Sequence, residues 1–294
     1  MPDLRPDLRE AQDPGQRSTP RISGRTVLFI AVGLVAALVA VLIVVLVRPS
    51  SNGGGGISFF PVSPTSAPPK PSAGAATSAA VLQNWGEPAY VDEFDQPLGS
   101  EWEVYNGKGH NGNGQRSPDA VSVADGIMTI TGDENGKTAG MALTPGHKYG
   151  RWEARVKAPV GDDTYNALLL LWPDAEDWPV GGEVDFMEMD DPSRQTTSMF
   201  LHYGKDNEQD KAEVKIDGTQ WHNWAVDWTP DHIIAYVDGK EWYRTTDKGI
   251  FPPRKMHLAI QLDWFPENGN KNNVKPTTMD VDWVKQYPPP GVTP

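Results

Sequence analysis

The chain of 294 residues contains no cysteine. Disulfide scaffolds, thiolate-bound zinc and cysteine nucleophiles are therefore excluded. Basic residues are scarce as well, since 26 Lys and Arg stand against 39 Asp and Glu, for a formal charge of −13. Because nucleic-acid binding depends on cations that neutralise phosphates, this balance predicts no nucleic-acid partner. The sequence also has no phosphate-binding loop, GxSxG elbow, HExxH motif or EF-hand loop.

One long uncharged run is present near the N-terminus, from Thr26 to Val47. As an α-helix its 22 residues would span about 33 Å, which matches a bilayer core. The run is too long for a signal-peptide core. Five arginines precede it and only Arg48 follows closely. We therefore predict a single-pass protein of the cell membrane, with a cytoplasmic tail over 1–25 and a transmembrane helix over 26–47. The rest of the chain would be extracellular.

Residues 48–82 are rich in Gly, Pro, Ser and Ala. Such a composition buries too little apolar surface to offset the entropy of ordering the chain, so it predicts a disordered linker. The folded part is then a single domain over residues 83–290.

That domain shows no long helical periodicity, but many short runs of Val, Ile, Thr and aromatic residues. Asp125-Gly126 and Asp238-Gly239 each separate two such runs and predict two-residue hairpins. The pattern predicts an all-β sandwich or barrel. The predicted strands include 150–156, 167–172, 183–189, 198–203, 224–228, 256–262 and 279–286.

All eleven tryptophans also follow residue 83. We expect more than half of them to pack in the core. The others, together with an acidic surface, suit a cleft in which sugar rings stack on aromatic faces.

Three carboxylates lie close together in the segment WPVGGEVDFMEMD, residues 178–190. On a regular strand Glu183 and Asp185 point to one face and Glu188 to the other, because five positions is an odd spacing. A β-bulge around Phe186 or Met187 would bring all three to one face. Taken alone, the pattern also fits a solvated acidic strand.

Paired carboxylates of this kind suit glycoside hydrolysis. A retaining mechanism needs a carboxylate nucleophile and a protonated carboxyl group about 5 to 5.5 Å apart. An acidic residue between them can separate their pKa values, so that one is ionised and the other protonated.

Several ordered motifs resemble glycoside hydrolase family 16, in its laminarinase and agarase-like branch. These motifs are DEF at 92–94, YGRWEARVKAP at 149–159, GEVDFMEM at 182–189, HYG at 202–204, WHNWAVDWTPDHIIAYVDG at 221–239 and VDWVKQY at 281–287. The resemblance implies a β-jelly-roll sandwich of the concanavalin A-like type.

The resemblance also implies roles for individual residues. Glu183 matches the nucleophile, Glu188 the general acid and base, and Asp185 the residue that tunes the pair. Trp178 would form an aromatic wall of the cleft and His202 a polar contact near the acid/base. We expect Trp172 to lie in the core instead.

Two segments depart from the family pattern, GHNGNGQRSPDAV at 109–121 and LAIQLDW at 258–264. Both border the cleft in relatives, so their divergence leaves the polysaccharide open. Arg116 in the first segment is a candidate sugar contact, although a surface arginine is the alternative interpretation.

Family members often hold one Ca²⁺ between the opening segment and the closing strand, where this chain has Glu93 and Asp282. Calcium needs six or more oxygen ligands and two candidates do not complete a site, so we predict at most a structural ion. No cofactor is expected to be needed for catalysis.

The predicted function is hydrolysis of a β-linked polysaccharide by a membrane-anchored, retaining endo-glycosidase, with β-1,3-glucan as the expected substrate from the resemblance. Two alternatives stay open. A wall-polymer transglycosylase would use the same intermediate, and a lectin-like carbohydrate-binding module would use the same fold without hydrolysis.

Overall fold

The computed structural model describes residues 74–292, which form a sandwich of two antiparallel sheets with one short parallel pairing. In this range its one α-helix is α1 (Ala79–Leu82), and 3₁₀ turns occupy Ala75–Thr77, His110–Gly112, Pro118–Ala120 and Lys248–Ile250. The strands are β1 (Tyr90–Asp92), β2 (Trp102–Val104), β3 (Gly107–Lys108), β4 (Gln115–Arg116), β5 (Val121–Ala124), β6 (Ile127–Gly132), β7 (Lys137–His147), β8 (Gly150–Lys157), β9 (Tyr165–Pro173), β10 (Glu183–Met189), β11 (Thr196–Tyr203), β12 (Glu208–Lys215), β13 (His222–Trp228), β14 (Ile233–Val237), β15 (Lys240–Thr245), β16 (Met256–Trp264) and β17 (Thr277–Tyr287).

The first sheet has eight strands in the order β15-β14-β13-β8-β17-β6-β5, with β1 paired to β17. The second has nine strands in the order β12-β11-β10-β9-β16-β7-β4-β3, with β2 paired to β7. Runs of consecutive strands such as β15-β14-β13 lie beside strands from distant parts of the chain, as where β8 pairs with β17. The architecture confirms the predicted all-β sandwich.

The main core lies between the two sheets, and strand β9 shows how the alternation works. Ala167, Leu169 and Leu171 point into that core. Leu168 and Leu170 point away from it and form a separate apolar cluster with Ala259, against which Trp172 packs. Because side chains alternate along a strand, the nine-stranded sheet has a second apolar face, which is the floor of a groove.

Both predicted Asp-Gly hairpins are confirmed. Asp125 and Gly126 connect β5 to β6 with φ of 54° and 75°, and Asp238 and Gly239 connect β14 to β15 with φ of 47° and 70°. Positive φ at both central residues is typical of the type I′ turn, whose twist matches the flanking strands. The seven predicted strands are also present, with ends that extend by up to two residues.

Strand β12 was not predicted, because its sequence EQDKAEVK is largely charged. It forms the outer edge of the nine-stranded sheet and alternates between exposed and half-buried side chains. Charged edge strands resist pairing with other molecules, which explains a composition that resembles a loop.

The predicted linker boundary at residue 82 is wrong, because the chain is already folded from Gly74 onward. Ala79 and Ala80 of α1 are buried in a cluster with Trp85 and residues of the eight-stranded sheet. The cause is a buried carboxylate of β8, that of Glu153, which accepts hydrogen bonds from this segment. Small residues that suit a linker also suit such close packing.

The predicted tail over 1–25, the membrane helix over 26–47 and the first part of the linker lie outside the described residues. Between residues 74 and 292, no helix is long and apolar enough to cross a membrane.

Candidate active site

A groove of about 670 Å³ crosses the nine-stranded sheet on the face opposite the main core. Its lining extends from Lys211 on β12, through the carboxylates of β10 and the leucines of β9, to Arg116 on β4. The two segments that depart from the family pattern both contribute to it, through His110 and Arg116 in one and Gln261 and Asp263 in the other. A groove that runs across the strands can hold several consecutive units of an extended polymer.

Strand β10 carries three carboxylates on the groove side because its register shifts. Asp185 pairs with Leu170 and Met187 with Leu169, so Phe186 is an extra residue opposite β9. The predicted bulge is therefore present. Val184, Phe186, Met187 and Met189 belong to the core, whereas Glu183, Asp185 and Glu188 all line the groove.

Polar side chains hold this group of acids from two sides. Asn166 of β9 donates from Nδ2 to Oε1 of Glu188 over 2.8 Å. On the other side, His202 Nε2 lies 3.3 Å from Oδ2 of Asp185, and His202 Nδ1 contacts Asn207 Oδ1 at 2.7 Å. The predicted polar residue His202 thus contacts the middle carboxylate.

Burial and mutual repulsion raise the pKa values of all three acids. For Glu183, burial and then the charge of Asp185 raise the pKa well above its usual range. For Asp185, burial and then the charge of Glu188 have the same effect. Burial raises the pKa of Glu188 to about 7, against the hydrogen bond from Asn166. Raised pKa values let this group of acids hold a proton near neutral pH, and a retaining site needs one protonated carboxyl beside one ionised carboxylate.

Two tryptophans form an aromatic wall beside the acids. Trp178 is 42% exposed and lines the groove, as predicted. Its ring stacks on Trp172 with centroids 6.4 Å apart and planes 10° apart. The prediction that Trp172 packs in the core is wrong, because its position on β9 shares the groove face with Leu168 and Leu170. Such flat, partly exposed aromatic faces suit the apolar faces of sugar rings.

Arg116 lies at the other end of the groove and is more than a surface residue. Its guanidinium contacts Asp263 Oδ2 at 2.6 Å and donates to Gln261 Oε1 over 2.7 Å. It also lies over the ring of Tyr105, 5.4 Å from the centroid. The groove thus ends in a fixed set of donors and acceptors built from the two divergent segments.

The two candidate calcium ligands are not arranged for a cation. Glu93 lies 3.3 Å from Lys285, and Asp282 lies 3.1 Å from Arg155. A carboxylate that is already matched by a basic side chain is a poor ligand for a further cation, so these residues do not fit a Ca²⁺ site. Among residues 74–292, one group of three or more His, Asp or Glu side chains lies close enough together to share an ion, namely Glu183, Asp185 and His202.

Residues Asn166, Gln261 and Asp263 were missed as site residues by the sequence analysis. Asn166 lies one position before the predicted start of its strand, at residue 167. Had that strand been extended by one residue, alternation would have put Asn166 on the same face as Leu168 and Leu170. No comparable local signal connects Asp263 to Arg116, because 147 residues separate them.

A two-sheet β-sandwich with paired glutamates in an aromatic-lined groove defines a glycoside hydrolase, an enzyme that acts on O-glycosyl bonds. The model of the glycosyl hydrolases family 16 matches residues 109–285. The chain belongs to that family.

The individual proteins that the chain is similar to share about a quarter of its aligned residues. A beta-glucanase of Rhodothermus marinus is 25% identical over 244 residues, covering 68% of this chain and 85% of that protein. The glucan endo-1,3-beta-glucosidase A1 of Niallia circulans is 28% identical over 167 residues, which is 48% of this chain but 24% of that protein. Among solved structures, the catalytic domain of an endo-1,3-beta-glucanase from Thermotoga petrophila is similar with a TM-score of 0.62 and 20% identity, covering 70% of this chain and 98% of that one.

Proposed function

We propose that this chain hydrolyses β-1,3-glucan as a retaining endo-glycosidase. The observation that carries the proposal is the bulge at Phe186, which puts Glu183, Asp185 and Glu188 on the groove side of one strand. The family, and relatives whose names specify glucan as substrate, support the choice of polymer.

In this mechanism Glu183 is the nucleophile. Its carboxylate attacks the anomeric carbon while Glu188 donates its proton to the leaving glycosidic oxygen, so a covalent glycosyl-enzyme forms and the C–O bond breaks. Glu188 then removes a proton from water, which attacks the same carbon and releases Glu183. Asp185 lies between them on the strand and tunes the pair: its charge raises the pKa of Glu183, and the charge of Glu188 raises the pKa of Asp185.

Substrate binding uses the remainder of the groove. Trp178, stacked on Trp172, offers a platform to a sugar ring beside the acids. His202 and Arg116 offer polar contacts on either side of β10. Because the groove spans the sheet from β12 to β4, a chain can bind across its middle, which supports cleavage at internal bonds.

The test is the release of reducing ends from laminarin, mixed-linkage glucan, agarose and galactan by the full chain. We expect activity on laminarin and no activity in Glu183→Gln. NMR should show that the first product is released as the β-anomer. An α-anomeric first product would contradict retention. Transfer of sugar to added oligosaccharide in place of hydrolysis would favour the transglycosylase, and binding without turnover in the wild type would favour a lectin-like module.

For the N-terminal region we propose a single-pass membrane anchor over residues 26–47, with the catalytic domain outside the cell. The support is the uncharged run and the arginines that precede it. Protease added to intact cells should then release the domain while residues 1–25 stay protected. Protection of the domain until the cells are lysed would contradict this topology.

A further inference from the structure

The turn between β10 and β11 contains a buried arginine that the mechanism does not use. Arg194 is 0% exposed and has a left-handed backbone with φ of 61°. Its backbone is held as well, because its N–H donates to Asp191 O over 2.9 Å and its carbonyl accepts from Gly218 over 2.7 Å. A buried guanidinium is costly unless its donors are matched, so its partners indicate its use.

Those partners are backbone carbonyls. Nη1 donates to Met189 O, Nη2 to Tyr165 O over 3.0 Å and Nε to Pro159 O over 3.4 Å. Within residues 74–292 the arginine makes no salt bridge. Burial lowers its pKa to about 10, against the charges of Asp191 and Asp190. It therefore remains a cation at neutral pH and clamps several chain segments together.

The position of this clamp is informative. The pairing of β10 with β9 ends at Met189 and Ala167. Arg194 joins the carbonyls of Met189 and Tyr165, so it bridges the two strands just beyond their last pair. Each of these carbonyls belongs to a neighbour of an active-site residue: Met189 follows Glu188, and Tyr165 precedes Asn166.

Glu188 and Asn166 form the 2.8 Å hydrogen bond that anchors the acid side chain. We infer that Arg194 is a positioning residue for Glu188, because it fixes the ends of β10 and β9 at the separation that lets Asn166 hold the acid. The inference rests on the acid/base role of Glu188 in the proposed function.

The environment of Arg194 leaves little room for other side chains. A Cβ at Gly161 would lie 2.7 Å from its Nη2, and a Cβ at Gly218 would lie 3.1 Å from its carbonyl oxygen. Gly161 thus lets the backbone approach the guanidinium, and Gly218 lets it approach the carbonyl of Arg194. A side chain with fewer donors or a different length cannot reach all of these carbonyls without shifting these segments.

The test compares Arg194→Lys and Arg194→Met in the full chain on two substrates: laminarin, and an aryl β-glucoside oligomer with a dinitrophenyl leaving group. General acid catalysis contributes 10²–10⁴-fold, and the activated substrate needs little of it. In Arg194→Met we expect kcat/KM to fall about 30-fold on laminarin and at most about 3-fold on the aryl substrate, with KM nearly unchanged. Arg194→Lys should restore part of the loss.

Arg151→Met is the matched control. Arg151 is a buried arginine of β8 in the opposite sheet, 3.2 Å from Asp227 and bonded to Pro288 O. Its loss should lower thermal stability but leave the ratio between the two substrates as in the wild type. Equal losses on both substrates in a folded Arg194→Lys or Arg194→Met variant would overturn the inference.

A second measurement separates this inference from the proposed function. If Arg194 positions Asn166, its replacement weakens a hydrogen bond that favours the ionised form of Glu188, so ¹³C NMR should report a higher Glu188 pKa in Arg194→Lys. This readout needs no turnover. An unchanged Glu188 pKa would overturn the inference even in an active enzyme, whereas an inactive wild type with the expected shift would count against the proposed function alone.

Discussion

The two sheets each bury carboxylates, but in opposite ways. In the eight-stranded sheet, Glu153 is 0% exposed and accepts from Ser78 Oγ at 2.6 Å and from the N–H groups of Ala79 and Ala80 at 2.6 and 3.3 Å. In the nine-stranded sheet, Asp185 is as deeply buried, but its neighbours on the strand are two further acids. Among residues 74–292, one of its oxygens, Oδ1, has no hydrogen-bond partner.

The difference shows how burial serves structure in one place and chemistry in the other. Burial raises the pKa in both sheets. At Glu153 three donors oppose that shift, and their hydrogen bonds attach the N-terminal segment to the sheet. On β10 repulsion adds to burial, so protons are retained beside a groove where substrate binds.

The largest effect is expected from Glu183→Gln, which removes the nucleophile and keeps the shape of the side chain. We expect kcat on laminarin to fall at least about 10³-fold, because the covalent step has no substitute. Binding of laminarin by isothermal titration should persist. Glu213→Gln, an exposed change on β12, is the control and should keep full activity. Retained turnover in Glu183→Gln would remove the nucleophile assignment.

Glu188→Gln should discriminate between substrates. We expect kcat/KM on laminarin to fall about 10²- to 10⁴-fold and on a dinitrophenyl glycoside much less, since the activated leaving group departs without a proton. Glu176→Gln is the matched control, because Glu176 also lines the groove but bonds Trp172 Nε1 instead of the acids. If both substrates lose activity equally in Glu188→Gln, its acid role is wrong.

The pH dependence of kcat/KM follows from the raised pKa of Glu188, about 7. A general acid must carry its proton, so activity should fall as the pH rises through that value. We expect a basic limb near pH 7 in the wild type, and its absence in Glu188→Gln assayed on the activated substrate. A wild-type profile flat from pH 6 to about 9 would contradict a protonated Glu188.

The same comparison predicts opposite changes in stability. A carboxyl whose pKa is raised by folding stabilises the fold at low pH, and this contribution is lost as the pH rises from its unfolded value near 4 through its folded value. At pH 7 the buried, ionised form of Asp185 therefore costs stability. Asp185→Asn removes this cost, so we expect the free energy of unfolding at pH 7 to rise by about 1 kcal/mol in urea titrations. A decrease there would mean that Asp185 is needed for the fold.

Glu153→Gln should lower the free energy of unfolding at pH 7 by about 1–3 kcal/mol. The reason is that the new amide would point its own N–H groups at the donors of the N-terminal segment. Its kcat/KM should equal the wild-type value. Glu241→Gln is the control, since its partner Arg244 is exposed and surface pairs contribute little. If Glu153→Gln lost activity but kept its stability, the assignment of a structural role to Glu153 would be wrong.

How much of the site was predictable depended on how local each feature is. The bounds of β10 were predicted at Glu183–Met189 and are observed there. Three acids at an odd spacing share a face only if the strand has a bulge, and the resemblance to the family favoured that interpretation over a solvated acidic strand. Trp178 and His202 followed from the resemblance to the family and do line the groove.

Other features of the site could not be predicted from the sequence, because they depend on which distant strands pair. Asn166 touches Glu188 because β9 pairs with β10, and Arg116 meets Asp263 because β4 and β16 flank β7. The packing of residues 74–82 depends on one carboxylate of β8 that no local pattern connects to them.

The sequence by itself determined the strand pattern, the turns, the bulge and the identity of the acids, since alternation and turn conformation are set by neighbouring residues. Only the tertiary structure decided which groups hold those acids, where the aromatic wall lies and where the domain begins. Hydrogen bonds between side chains on separate strands require a register that is set by the packing of the whole core.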